Sequence, residues 1–280
     1  MTDKKVLTIQ DISCYGQCSL TVALPIISAC GVETIILPSA VLSTHTGGFT
    51  GYTFHDLTDD IPGIWQHWKK EGISFDCLYT GYLGSTTQID YVYDMRREVV
   101  KEDGLLIVDP AMADNGKLYY GFDMEFAARM AKLCGSADII LPNITEACFM
   151  TGAEMKLGIQ DEAYVTDLLE KLAALGPKKI VLKGICFEED KLGVVVYDCK
   201  TRESNYYYTE KISKSSHGTG DCYAAAFTGA IMQGRDVLSA ASLAADFVVE
   251  SLKKTIDDDT HGYGVKFEKA LPMLVNELNK

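Results

Sequence analysis

The chain lacks any Cys-x-x-Cys pair and any Cys/His spacing of a metal finger, and its cysteines, nine from Cys14 to Cys222, are odd in number. A disulfide framework and a zinc module are thereby excluded. Free thiols in a reducing cytoplasm, each used as a small buried hydrophobe, are expected. No apolar run approaches the roughly 20 residues that a membrane span needs. The opening Met1-Thr-Asp-Lys-Lys5 runs straight into an apolar strand without a signal-peptide pattern. Runs of Lys or Arg are missing too: 26 basic residues face 39 acidic ones, for a net charge of −13. A nucleic-acid partner, which wants a basic face, is not expected, and neither is docking on an anionic membrane. With 7 prolines and 24 glycines in 280 residues, the composition is neither fibrous nor disordered. Finally, there is no G-x-x-x-x-G-K-[ST] loop and no G-x-G-x-x-G after the first strand. P-loop kinases and dinucleotide-binding dehydrogenases fall away.

What is present is a repeated alternation of short apolar runs with amphipathic stretches. Strands are expected at Val6–Ile9, Thr34–Leu37, Cys77–Thr80, Leu105–Val108, Ile139–Leu141 and Ile180–Leu182. Helices are expected at about Ser19–Cys30, Asp59–Glu71, Thr86–Glu102, Phe122–Leu133, Thr145–Met150 and Asp161–Leu175. Ser39–Tyr52, rich in Gly, Ser and Thr, reads as a loop or a short edge hairpin. The rhythm then changes. Val194–Tyr197 and Ser204–Thr209 read as two antiparallel strands, and helices follow at Thr219–Gln233, Val237–Lys253 and Lys266–Leu278. Strand–helix alternation implies a mostly parallel sheet covered on both faces. One α/β/α domain over residues 1–280, with an antiparallel edge late in the chain, is the expectation. Ligands of such sheets gather outside the carboxyl ends of the strands. The polar residues there are Gln10-Asp11, Tyr82, Asp109, Asn143 and Lys183.

The strongest chemical signal is Ser216-His-Gly-Thr-Gly-Asp221, followed by the small-residue run Cys-Tyr-Ala-Ala-Ala-Phe227. Gly218 and Gly220 around Thr219 allow a sharp turn whose N–H groups point one way, and the following helix N-terminus favours an anion. That makes a phosphate cradle. A carboxylate there, Asp221, is placed to take a proton from a hydroxyl attacking a phosphate. The plain alternative is a tight turn whose Asp complements the helix dipole.

The chain resembles the ribokinase superfamily and, within it, the vitamin kinases: pyridoxal/pyridoxine/pyridoxamine kinase, with hydroxymethylpyrimidine kinase as the near relative. The resemblance runs through Val6-Leu-Thr-Ile-Gln10 with Tyr15-Gly16, Ser43-Thr-His-Thr-Gly47, Thr80-Gly-Tyr-Leu-Gly84, Val108-Asp-Pro-Ala-Met112, Pro142-Asn-Ile-Thr-Glu146 and the cradle. It implies a ribokinase-like fold, ATP as phosphoryl donor and Asp221 as general base. It also implies that His45, Thr46 and Tyr82 contact the acceptor ring. Asp11 stands where the family often has Ser, so either Asp11 or Ser13 meets the ring. Asp109 and Glu146 are implied to lie at Mg²⁺, and Asn143, Asp114, Lys183, Gly218, Thr219 and Gly220 at the nucleotide. A monovalent cation beside Mg²⁺ and a homodimer belong to the same implication. Mg²⁺ prefers oxygen ligands, keeps several waters and needs only one or two carboxylates beside phosphate oxygens, which agrees.

Three functions are thus open. The first is an ATP-dependent kinase of a vitamin B6 vitamer in salvage. The second is a hydroxymethylpyrimidine kinase, toward which His217-Gly-Thr-Gly leans. The third is a catalytically silent B6-binding protein. Asp257-Asp-Asp259 reads as a solvated turn, and Tyr206-Tyr-Tyr208 as alternate sheet faces.

Overall fold

The computed structural model describes residues 4–213 and 216–280. Residues 1–3, the start of the segment expected to carry no leader, lie outside them. The described residues form a nine-stranded sheet in the order β11-β10-β9-β8-β5-β4-β1-β2-β3, and a separate two-stranded hairpin, β6-β7.

β1 (Lys5–Ser13), α1 (Leu20–Ala29), β2 (Glu33–Leu42) and β3 (Phe54–Asp56) open the chain. β3 runs antiparallel to β2 and closes one edge. α2 (Ile61–Lys70), β4 (Phe75–Thr80), α3 (Thr86–Glu98) and β5 (Val100–Val108) follow. Next come β6 (Ala113–Asp114), β7 (Lys117–Leu118), α4 (Met124–Gly135), β8 (Ile139–Ile140), α5 (Ile144–Thr151), α6 (Glu162–Ala173) and β9 (Lys179–Ile185). The second edge is antiparallel, from β10 (Lys191–Asp198) and β11 (Glu203–Glu210). α7 (Thr219–Met232), α8 (Val237–Thr255), a 3₁₀ turn at Phe267–Lys269 and α9 (Leu271–Leu278) end it.

The apolar alternation along the strands divides the core in two. Leu7, Ile9, Leu78, Leu106, Val108 and Leu182 pack under α2 to α6. Val6, Cys77, Tyr79, Ile107 and Val181 pack under α1, α7, α8 and α9. Successive residues of a strand face opposite ways, so a parallel strand covered on both faces must be apolar throughout. β4 is buried at every position.

Several elements depart from the sequence expectation: β2 runs on to Leu42, into the stretch expected as a loop, and the last expected helix is divided into the 3₁₀ turn and α9. β1 runs on to Ser13, through a register shift between Gln10 and Ile12, because β2 continues to pair with it. Gln10 and Asp11 therefore sit inside the strand rather than after it. Likewise β9 extends past Lys183 because β10 pairs with it antiparallel. The helix expected to reach Glu102 stops at Glu98, where the β-branched pair Val99-Val100 favours extended backbone and Val100 pairs with Phe75. The β6-β7 hairpin gave no apolar run long enough to announce itself.

Candidate active site

The chain leaves β1 to build β2 on one side and returns to place β4 on the other. This reversal opens a crevice outside the carboxyl ends of β1 and β4. Beside them stand β5, β8 and β9, so residues distant in sequence converge there.

At the end of β5, Asp109 is buried, and Lys183 of β9 donates to both of its carboxylate oxygens at 3.1 Å. The ammonium also lies over the Tyr223 ring, 5.9 Å from its centroid. Burial pushes the Asp109 carboxyl up, and Lys183 opposes it. For Lys183 burial works downward, but Asp109 and Glu146 carry its pKa above the ordinary lysine value.

After β8, Asn143 caps α5. Its Oδ1 accepts the Glu146 N–H at 2.8 Å, while Glu146 Oε2 accepts the Asn143 N–H at 2.9 Å. The Asn-Ile-Thr-Glu spacing thus makes a capping box. Glu146 Oε1 accepts the Met112 N–H at 3.1 Å, and Asn143 Nδ2 donates to the Ala113 carbonyl at 2.9 Å. The box fixes a carboxyl that is 2% exposed. Burial, then the Asp109 charge, push it up to about 8.

Asp221 enters from the other face of the sheet, in the first turn of α7. Gly218 caps that helix at φ 74°, and a Cβ there would lie 1.7 Å from the Gln17 carbonyl oxygen. Only glycine admits this approach. The same β1–α1 turn supplies the Ser19 backbone N–H, which donates to Asp221. Part of Asp221's surface stays accessible. Its carboxyl is nonetheless pushed up to about 7 by burial first and by Asp109 second, with the Ser19 N–H opposing.

On the β1 side, Asp11 and Ser13 are buried, and the Ser13 hydroxyl donates to Asp11 at 2.8 Å. Burial raises the Asp11 pKa, and hydrogen bonds from Ser19 and Ser13 hold it back. Tyr82, just past β4, stacks on Phe122 at 5.4 Å. Burial, then Asp11, push its phenol up to about 12. His45 is buried on the loop after β2, with Thr46 exposed beside it.

The residues singled out from the sequence, His45 aside, thus fall into four groups. Asp109, Asn143, Glu146 and Lys183 form one charged cluster, with Asp221 electrostatically linked to it. Asp11 and Ser13 stand at the end of β1, and Tyr82 just past the end of the neighbouring β4. Thr46 is exposed on the loop after β2, and Asp114 is exposed at the end of β6, where it accepts its neighbour's Asn115 N–H at 2.8 Å. Thr219 and Gly220 lie on the opening turn of α7 beside Gly218.

The sequence reading passed over Ser19, Tyr223 and Tyr119. Tyr119, 42% exposed, lies within the field of this cluster: partial burial first, and then the charges of Glu146, Asp221, Asp114 and Asp109, raise its phenol. The polar turn after β1 was a usable signal for Ser19, lying where ligands gather. For Tyr119, in a loop of two tyrosines, there was none.

Among the described residues no three His, Cys, Asp or Glu side chains group to enclose a metal ion. Two buried carboxyls beside one lysine, Asp109 and Glu146, still offer the hard oxygens that Mg²⁺ takes when water and phosphate fill most of its shell. Asp257–Asp259 shows Asp258 bonded to Thr260 and paired with Lys266. Tyr207 bonds Asp246, while Tyr206 and Tyr208 stack on each other from the opposite face.

A profile of the phosphomethylpyrimidine kinase family matches residues 27–265. A pyridoxal kinase (PdxY) of Granulibacter bethesdensis is 26% identical over 264 residues, 90% of each chain. A hydroxymethylpyrimidine/phosphomethylpyrimidine kinase of Haemophilus influenzae is 24% identical over 258 residues, 91% of this chain and 93% of that one. Among solved structures, a phosphomethylpyrimidine kinase candidate from Bacteroides thetaiotaomicron, crystallised with pyridoxal, superposes with a TM-score of 0.91 at 34% identity. It covers 98% of this chain and 96% of its own.

Proposed function

Because the chain belongs to the phosphomethylpyrimidine kinase family, we propose that it transfers the γ-phosphate of ATP to the 5′-hydroxymethyl group of a vitamin B6 vitamer, with Asp221 as base. The observation that carries this reading is the environment of Asp221. It lies at a helix N-terminus beside a glycine turn, and burial brings its carboxyl to about 7. A carboxyl poised near neutral accepts a hydroxyl proton as that oxygen begins to bond phosphorus, and it returns the proton to solvent afterwards.

The remaining roles follow from position. Gly218, Thr219 and Gly220 present the opening N–H groups of α7 to the transferring phosphate. Lys183 supplies a positive charge to the phosphate oxygens, and Asn143 and Asp114 border the nucleotide. Asp109 and Glu146 would hold Mg²⁺, which when bound offsets the negative charge of the phosphates. Asp11 or Ser13, with His45, Thr46 and Tyr82, would orient the acceptor ring. Most of the acceleration comes from positioning and electrostatics. The whole chain acts as one domain, in B6 salvage in the cytoplasm and as a homodimer. The nine free cysteines support the reducing compartment. Among the described residues no helix is long and apolar enough to cross a membrane, which is compatible with it.

Gln10, Tyr15-Gly16 and Ser43–Gly47, together with the pyridoxal in the Bacteroides structure, favour B6 as acceptor. One observation favours hydroxymethylpyrimidine instead: His217 immediately before Gly-Thr-Gly. ADP release with pyridoxal, pyridoxamine, pyridoxine and hydroxymethylpyrimidine separates the readings. Turnover with hydroxymethylpyrimidine alone overturns the B6 assignment. Binding of pyridoxal without ADP release from any of the four identifies a silent binding protein.

A further inference from the structure

Two loops from opposite ends of the chain meet above the crevice. The first follows β2 and carries His45. Its backbone N–H donates to the Tyr15 carbonyl at 3.1 Å, and its Nδ1 accepts the Gly47 N–H at 3.0 Å. The buried ring therefore has its plane fixed by its own loop, and it packs edge-on against Phe49 at 5.1 Å. The second loop leads into α7 and carries His217, next to Gly218.

The two imidazoles face each other with centroids 5.1 Å apart and planes tilted by 47°. The His217 ring also lies directly over Gly47. A Cβ at that position would come within 2.6 Å of Cε1. Two glycines thus permit the meeting: Gly47 lets the His217 ring down onto the acceptor-side loop, and Gly218 lets the β1–α1 turn down onto the cradle. Burial first, and then the facing His217, hold the His45 pKa below the ordinary histidine value. His217 itself is exposed, so its contact contributes little apolar burial to the fold. What it does contribute is a connection. Asp221, four residues on, lies in the first turn of the helix that this loop enters, and His45 belongs to the wall over the acceptor.

We infer that the His45–His217 contact is the joint through which the acceptor-side loop and the phosphate cradle hold each other in position, so that nucleotide and acceptor bind cooperatively. His217 is then a positioning residue, and the inference rests on the kinase reading of the same site. A nucleotide that fixes the cradle fixes His217, hence Gly47 and His45, and lowers the ordering cost that the acceptor would otherwise meet. By reciprocity, acceptor binding tightens the nucleotide by the same factor.

The test is titration calorimetry of pyridoxal with and without Mg²⁺ and a non-hydrolysable ATP analogue. Wild-type protein is expected to bind pyridoxal at least about fivefold more tightly with the analogue present. In His217→Ala that factor falls to near one, with the melting temperature held. Gly47→Ala should have the same effect by displacing the ring. The double variant should be no worse than His217→Ala, since the clash is gone. Absence of cooperativity in the wild type, an undiminished factor in His217→Ala, or additive losses in the double variant would each overturn the joint. A second readout stands apart from the acceptor's identity: hydrogen exchange of the Gly47 amide with the analogue alone. It should slow in the wild type and not in His217→Ala. If pyridoxal does not bind, the B6 reading fails while this exchange still decides the joint; equal slowing in both proteins, or none in either, overturns it.

Discussion

Replacing Asp221 by Asn separates a catalytic from a structural carboxyl, because the two roles predict stability changes of opposite sign. The side chain keeps its size, and its amide oxygen can still accept the Ser19 N–H. The charge is lost, and with it the ability to take the acceptor's proton. Loss of a positioned base costs about 10²- to 10⁴-fold in rate. The kcat should therefore collapse at least about a hundredfold, while the Kd for ATP is held or improved, a negative charge beside the phosphates being gone.

The stability change runs the other way. The folded protein moves the carboxyl from 3.8 to about 7. A folded-state pKa above the unfolded one contributes stability below the unfolded pKa and loses it as pH rises through about 7. At 1.36 kcal/mol per pH unit, and discounted for the accessible part of the residue, the charged form costs the fold on the order of 2 to 4 kcal/mol. Asp221→Asn is spared this, so at pH 8 its Tm should rise by several degrees, and at pH 5, still above the unfolded pKa of 3.8, about a third of that difference should remain. In the wild type, kcat/KM should fall as pH drops below about 7, as the base takes up its proton. ADP-release kinetics and thermal melts across pH 5 to 9 measure all three. A variant with near-normal kcat, or one less stable at every pH, refutes the assignment of the base.

Glu146→Gln should shift the Mg²⁺ titration of activity to higher concentration while circular dichroism stays native; superimposable titrations remove Glu146 from the metal. Lys183→Ala leaves Asp109 buried without its partner. Denaturation at pH 8 should show a loss of about 3 kcal/mol or more, smaller at pH 5 where Asp109 can take a proton; a pH-independent loss would point to packing alone. Asp11→Ala should raise the KM of the B6 vitamer about ten- to a hundredfold, the range of a hydrogen bond to a charged group, and leave that of ATP alone. Equal effects on both substrates would give Asp11 a structural role at the end of β1.

The layered architecture was legible because parallel strands covered on both faces are written as uninterrupted apolar runs. The antiparallel pair β10-β11 was equally plain from its polar turn. Boundaries failed where pairing partners decide them. Nothing local in Gln10–Ser13 says that β2 will keep bonding to it, and Val100 joined a strand because Phe75 was waiting. In the site, Asn143 and Glu146 were readable as a unit, since a capping box is a three-residue spacing. The Lys183–Asp109 pair was not: the lysine was expected to reach phosphate, and its ligand-free partner lies two strands away across β8. Ser19 and Tyr119 escaped for the same reason. Their significance lies in what they face across the sheet.

The placement of Asp221 has a consequence for how the chain is made. Its hydrogen-bond donor, Ser19, emerges from the ribosome 200 residues ahead of Thr219, where α7 begins. By then β1 to β9, with the acceptor crevice and the carboxyls at the strand ends, can already be assembled. The site cannot be complete until α7 settles against α1, where Gly229 lies over Cys30. That closure joins residues some 200 positions apart and is among the most non-local in the molecule. Recovered turnover during refolding is thus a clock for the final docking step, and it lags the return of helical circular dichroism.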